Sequence, residues 1–217
     1  MASKRTRMTG IERREQLIEI GRSVFAEKGF DGATVEEFAS KAGVTKPVVY
    51  EHFGGKEGLY AVIVDREVRR LVSTISESLK SAEHPRRLVE NTALALLDYI
   101  EDNTDGFRVL IRDTPTDRSK GYYSSVIGEV ASQVEHLLAD NFKAAKLDPK
   151  TAPIYAQMLV GLIAQVGQWW LEERSPDKET VATHVVNLTW LGLRNLNPKP
   201  TLLRTEDKKK SNSKRQE

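Results

Sequence analysis

An all-α fold follows from three observations on the sequence. Apolar residues recur at helical spacing from Ile11 onward, the segments they mark are separated by Gly, Pro and polar breaks, and no strand-like alternation survives between them. The expected architecture is a three-helix head built on a helix-turn-helix, joined by one long helix to a larger helical body.

Residues 1 to 10, MASKRTRMTG, are polar and basic without periodicity and are expected to form a flexible arm. From Ile11 to Lys28, the residues Leu17, Gly21, Val24, Phe25 and Lys28 keep the helical period. Gly29 with Phe30 predicts a Schellman-type stop. The next helix opens at Thr34-Val35-Glu36-Glu37, a capping box in which the threonine hydroxyl accepts the third helical N–H and Glu37 reaches back to the threonine N–H. Phe38 and Ala39 need a core, the helix stops at Ala42-Gly43, and Val44 fills the turn. Thr45 suits the N-cap of the third helix, with Pro47 in its first turn where a missing N–H costs nothing. Val49 and Phe53, four apart, share the face that docks on the preceding helix. Thr45, Lys46, Val48, Tyr50 and His52 are left on the remaining surface, and a helix so equipped can enter a DNA major groove.

Gly54-Gly55 breaks the chain again, and Lys56-Glu57-Gly58-Leu59-Tyr60 opens a helix running to about Lys80. At about 1.5 Å per residue it spans roughly 35 Å, enough to tie head to body mechanically. The body then reads as helices from Pro85 to about Asp102, Thr104 to Asp113, Gly121 to about Lys146, Pro153 to Arg174 and Pro176 to about Leu196. The last two are distinctive: PIYAQMLVGLIAQVGQWWL has no charge and VATHVVNLTWLGL almost none, so both should be buried on several sides. After Asn197-Pro198-Lys199-Pro200 the composition becomes polar and charged, and disorder is expected. The predicted divisions are an arm at 1–10, a helix-turn-helix domain at 11–55, a body at 56–197 and a basic tail at 198–217.

Gly43-Val44, Tyr50-Glu51-His52-Phe53 and Lys56-Glu57, preceded by the threonine-capped helix, carry a resemblance to the TetR family of transcriptional regulators over roughly residues 11 to 65. The resemblance implies phosphate contacts from Thr34, Tyr50, His52 and Lys56, chemistry that suits hydroxyls, an imidazole and an ammonium near helix N-termini. It implies that Thr45, Lys46, Pro47 and Val48 face base edges, where lysine donates to guanine and valine methyls meet the thymine methyl. Val48-Val49 and Gly54-Gly55 depart from the commoner family pattern, which bears on the bases read. The family likeness further implies a homodimer through the last two helices, a palindromic double-stranded DNA operator, and a basic arm that follows the minor groove or backbone. It also implies a body pocket for a hydrophobic or aromatic small-molecule inducer. Phe107, Arg108, Tyr123, Gln165 and Trp169 are candidate lining residues, because aromatic bodies with a few polar groups suit such a cavity. The function so implied is a transcriptional repressor released from DNA by its ligand.

Composition excludes several other chemistries. A hydrophobic fraction of 39% with 29% charged residues suits a soluble chain, and the formal charge of +2 is too small to announce a nucleic-acid binder by itself. The positive charge sits at the ends: Lys4, Arg5, Arg7, Arg13 and Arg14 oppose only Glu12, and Lys208 to Lys210 with Lys214 and Arg215 lie in the tail. With no cysteine there are no disulfides, thiolate metal sites or thiol catalysis. No apolar export segment begins the sequence, so a cytoplasmic location is expected.

Gly54-Gly55-Lys56 is no phosphate loop, since Tyr50 and Glu57 stand where glycine and Ser or Thr are needed. Glu101 to Gly106 resembles a calcium loop only until its twelfth position, Arg112. His52, His84, His136 and His184 form no zinc spacing, and neither metal nor cofactor is expected. Thr151 to Leu171 is long enough for a bilayer, but Gln157, Gln165 and Gln168 would each need a partner in hydrocarbon. Asn187-Leu188-Thr189 matches a glycosylation sequon only formally, within a helix. No acid, base and nucleophile converge, so no enzyme is expected. The competing readings are a helical small-molecule binder or enzyme whose head no longer binds DNA specifically, and a scaffold using the apolar last helices.

Overall fold

The computed structural model describes residues 8–80, 84–112 and 122–202. Among them every regular element is helical: α1 (Gly10–Gly32), α2 (Val35–Ala42), α3 (Lys46–Phe53), α4 (Lys56–Lys80), α5 (Pro85–Asp102), α6 (Thr104–Ile111), α7 (Tyr122–Ala144), α8 (Ala152–Glu173) and α9 (Lys178–Arg194). A single 3-10 turn, Pro149–Thr151, leads into α8. Most of the predicted basic arm and most of the predicted tail lie outside the described residues.

The start of α1 corrects the arm boundary. Thr9 is its N-cap and forms a full capping box with Glu12: the Thr9 N–H donates to Glu12 Oε2 at 2.7 Å, and the Glu12 N–H donates to Thr9 Oγ1 at 3.2 Å. The predicted stop at Gly29 is a break in the helical backbone, with φ 72° and ψ 178°, after which a last turn carries the chain to Gly32. That break lets Phe30 fold back onto Phe25, ring centroids 6.1 Å apart. Phe38 and Tyr60 complete the aromatic cluster from α2 and α4, each about 5 Å from Phe25 at 5.1 and 4.9 Å.

At Thr34 only half of the expected box forms. Its hydroxyl accepts the Glu37 N–H at 3.3 Å, but the Glu37 carboxylate pairs instead with Lys28 at 2.8 Å and Lys41 at 3.3 Å. Two cations win over one backbone N–H, and they hold the Glu37 carboxyl below its usual range, Lys28 foremost. Gly43 closes α2 in the left-handed region at φ 64°. Thr45 occupies the extended N-cap position of α3 but makes no capping hydrogen bond.

The passage from α3 to α4 is the tightest point in the head. Gly54 (φ 72°) and Gly55 (φ 130°) make the turn, and a methyl on Gly58 would stand 1.8 Å from the Phe53 carbonyl oxygen. Leu59 and Ile63, both fully buried, then pack α4 under α1. They meet α1 at Gly21, where an added methyl would come within 2.9 Å of each side chain.

In the body α4 packs against α5, α6 and α7, α8 lies on α7 and α5, and α9 lies on α5. α6 ends at Ile111, two residues inside the predicted limit, and the predicted start of α7 at Gly121 lies outside the described residues. α9 starts at Lys178 rather than Pro176, because Asp177 caps it by accepting the Thr180 N–H at 2.7 Å. The Trp170 indole N–H donates to the Pro176 carbonyl at 2.8 Å, fixing the turn between α8 and α9. Both last helices bury one face, yet Ile154, Met158, Trp169, Leu188 and Leu191 remain 46 to 64% exposed.

Gly58→Ala is expected to destabilise the protein by about 1–3 kcal/mol, the range for overpacking against atoms that cannot move aside. Gly21→Ala should cost less, since only side-chain ends oppose it. Thermal unfolding of both variants checks the order; a milder effect at Gly58 would contradict the reading of the turn.

Candidate functional site

The outer surface of the head is built by the N-terminal turns of α2 and α3 and by the C-terminal half of α3. Val49 is fully buried and Phe53 is half-buried against α1, so the opposite side of α3 faces outward. Thr34, Thr45, Lys46, Pro47 and Tyr50 are exposed, while Val48, His52 and Lys56 are half-buried. All eight lie between Thr34 and Lys56, on the two short helices, the turn between them and the start of α4.

Two of the cations already have partners. The Lys46 ammonium contacts the Glu36 carboxylate of α2, and this hydrogen bond holds the Glu36 carboxyl below its usual range. Lys56 donates to the Phe30 carbonyl at 3.0 Å and lies 4.4 Å from the Phe30 ring centroid. One of its three N–H groups is thereby directed into the head, and the others can serve elsewhere.

Arg13 and Arg14 play roles that sequence reasoning missed. Rather than extending the basic arm, they cap helix C-termini. Arg13 donates to the Ala42 carbonyl at 3.3 Å, the last residue of α2. Arg14 donates to the His52 carbonyl at 2.5 Å near the end of α3, with its guanidinium 4.4 Å from the Phe53 ring centroid. Cations at helix C-termini meet unpaired carbonyls and the negative end of the dipole. The available signal was their position one helical turn ahead of Leu17 and Ile18, on the side of α1 that faces its neighbours.

The body holds a cavity of about 360 Å³ between α4, α5, α7, α8 and α9. Its wall is mostly aliphatic, with Leu71, Ile75, Leu88, Val130, Val134 and Ile163 among the lining residues; Phe142 and Trp190 add two aromatic rings, and Thr92, Asn141 and Arg194 supply the few polar groups. The predicted lining residues are elsewhere. Phe107 is fully buried in the core, its ring 6.3 Å from that of Tyr99. Arg108 pairs with Glu172 at 3.5 Å. Gln165 is exposed and Trp169 is 46% exposed, on the outward stripe of α8 that also carries Ile154 and Met158. The Tyr123 side chain lies outside the described residues. The expectation placed the space around other aromatic rings, whereas it is lined mainly by branched aliphatic side chains whose spacing alone resembles an ordinary core, with Phe142 and Trp190 as its two rings.

Among the described residues no group of three or more His, Asp or Glu could hold a metal, and no helix is long and apolar enough to cross a membrane.

Helical head, long joining helix and hollow body together define a helix-turn-helix transcriptional regulator with a separate C-terminal domain. Comparison with known proteins agrees. The family model for bacterial regulatory proteins of the tetR family matches residues 17–63, and that for the tetracyclin repressor-like C-terminal domain matches residues 74–201. The chain is 30% identical to the HTH-type transcriptional activator FasR of Mycolicibacterium smegmatis over 184 residues, covering 84% of this chain and 83% of that protein. It is 25% identical to the HTH-type transcriptional regulator YdgC of Bacillus subtilis over 188 residues, 85% of this chain and 94% of that one. A TetR-like regulator from Rhodococcus sp. RHA1 shares the fold with a TM-score of 0.70 at 20% identity, covering 88% of this chain and 100% of that one. The chain belongs to the TetR family of transcriptional regulators.

Arg14→Met should destabilise the head by about 1.5–3 kcal/mol, the scale of a charge-assisted hydrogen bond. Its duplex affinity should fall as well, because Arg14 holds the end of α3. Unfolding and binding measured together check this; unchanged values in both would show that the cap does not hold α3.

Proposed function

We propose that the protein is a homodimer that places two copies of α3 in successive major grooves of a palindromic operator and is released when a ligand with a long aliphatic chain occupies the body. The observation that carries the ligand class is the wall of the cavity, which offers almost nothing to hydrogen-bond and much to exclude from water. FadR of Bacillus halodurans, described as a fatty acid degradation regulator, shares the fold with a TM-score of 0.66 at 20% identity, and its described role is consistent with that class.

Dimerisation is supported by the outward stripes of α8 and α9. Ile154, Met158 and Trp169 on one helix, with Leu188 and Leu191 on the other, expose apolar surface that a twofold partner would cover. The DNA reading is supported by the exposure of Thr45, Lys46, Pro47 and Tyr50 on one short helix whose other face is locked in the core. Val48 adds a methyl surface at the groove. Thr34, Tyr50, His52 and Lys56 hold the flanking phosphates, and Lys46 exchanges Glu36 for a base edge on binding.

Whether such a protein represses or activates depends on where its operator lies relative to the promoter. FasR, similar across both domains, is named an activator, and AcnR of Corynebacterium efficiens, similar over 68 residues at 32% identity, is named a repressor. Repression is the outcome where the operator overlaps the promoter.

Selection of a random duplex library by the purified protein, at a stated salt concentration, should enrich a palindrome. Salt-sensitive binding without an enriched sequence would sink the specific-reader assignment. Tyr50→Ala should weaken binding to all duplexes alike, and Lys46→Ala should also change base preference. Sodium palmitate should lower affinity for the selected duplex at least about tenfold, within the usual range of allosteric coupling. Leu188→Glu should yield a monomer by sedimentation and lose tight operator binding; a dimer that persists would place the interface elsewhere.

A further inference from the structure

Glu67 is a carboxylate in a place where carboxylates seldom sit. It lies on α4 with only 5% of its surface exposed, and a buried charge is costly unless it is paired and hydrogen-bonded. Its two oxygens are divided between the two halves of the molecule. Oε1 faces Arg22 of α1, with Nη1 3.4 Å away. Oε2 accepts the Tyr99 hydroxyl of α5 at 2.7 Å. A third helix closes over it: a methyl on Gly106, in the first turn of α6, would stand 2.3 Å from Oε2. Glycine there leaves room for the carboxylate beside a helix N-terminus, which favours negative charge. Tyr99 stays protonated, because burial and then the Glu67 charge push its hydroxyl far above the ordinary range.

Neighbouring positions of α4 extend the connection. Arg66 forks onto Glu15 of α1 at 2.5 and 2.7 Å, and Arg70 donates to Asn103, after α5, at 2.6 Å. These pairs are solvent-exposed and contribute little by themselves. Glu67 is the buried member of the series, so moving its partners apart strands a charge in the interior.

The cavity ends beside this group. Leu71 follows Glu67 by one turn on α4, Leu96 precedes Tyr99 by about one turn on α5, and both line the cavity. The two family models stop at residue 63 and resume at residue 74, so Glu67 falls in the joint that neither covers.

We propose that Glu67 is the coupling residue between body and DNA-binding head. The closed set Tyr99–Glu67–Arg22 fixes the spacing of α1 and α5 across α4, and a chain filling the inner end of the cavity displaces Leu71 or Leu96 and opens it. The proposal rests on the ligand-responsive, DNA-binding reading given above and adds the residues by which the two ends communicate. Glu67 is a positioning residue, since it touches neither DNA nor ligand. The ligand shifts the equilibrium only by preferring the open arrangement.

The test uses the full-length protein and the variants Glu67→Gln, Tyr99→Phe and their combination. Glu67→Gln keeps the shape and removes the charge facing Arg22; Tyr99→Phe keeps the ring and removes the donor. Affinity for the selected duplex and for a random one is measured without ligand, alongside amide hydrogen exchange. Each single variant should change affinity at least about fivefold in the same direction. The double variant should go little beyond the larger single effect, as expected for one shared interaction. Exchange should quicken together in α1 around Arg22 and in the first turn of α6. Unchanged affinity of the folded variants, or faster exchange confined to α4, overturns the proposal. A parent protein that binds no duplex would sink the DNA reading instead, while the exchange pattern would still decide whether Glu67 joins head to body.

Discussion

The turn between α3 and α4 leaves no room for a side chain. A methyl at Gly58 would fall 1.8 Å from the Phe53 carbonyl, and Gly54 and Gly55 adopt backbone angles that other residues resist. α3 has only eight residues, too few to hold a helix in isolation, so its shape and direction come from what it touches. Val49 anchors one side, and the turn fixes its end to α4. The direction of α4 is therefore the direction of the recognition helix, and every element that grips α4 acts on the head.

Much of the positive charge in the head is occupied internally. Arg13, Arg14 and Lys56 each donate to a backbone carbonyl, at Ala42, His52 and Phe30. The same device recurs where head meets body, as Arg112 donates to the Phe25 carbonyl at 3.4 Å. In the body Arg174 bridges the Ile100 carbonyl and the Thr104 hydroxyl at 3.3 and 2.8 Å. Guanidinium and ammonium groups suit this work because they carry several donors and stay charged. The consequence for DNA is a short list of outward cations on the described head, with Lys46 foremost and itself held by Glu36. A protein of formal charge +2 thus has a head designed more for orientation than for bulk attraction.

The head was the legible part of the sequence because its signals are local. Thr34, Gly43, Thr45, Pro47 and Gly54 act through hydrogen bonds and backbone angles within a few residues, so their spacing announces two short helices and a turn. Thr9 and Glu12 carry the same signal, and the start of α1 could have been placed from them. What spacing does not announce is competition: Glu37 had two cations within reach from other turns, and Arg13 and Arg14 had carbonyls on other helices. The body was legible as helices but not as a container. Leu71, Val130 and Ile163 have the periodicity of core residues whether the space between them is filled or empty. Gln165 and Trp169 looked suited to a pocket by chemistry, yet their phase on α8 turns them outward with Met158.

The length of α4 gives small movements in the body leverage at the DNA surface. From Leu71, where it meets the cavity, to Lys56, where it meets the turn, the helix rises about 22 Å at about 1.5 Å per residue. A tilt of roughly 5° about the body end carries the head end about 2 Å. A base-edge hydrogen bond works at about 2.9 Å and fades steeply beyond that, so this displacement is enough to lose the contacts α3 would make. Such a lever needs a stiff arm and a defined rest position. The arm is a continuous helix without proline or internal glycine beyond Gly58. The rest position is defined where Arg66, Glu67 and Arg70 meet α1 on one side and α5 with the residue after it on the other, partway along the same arm.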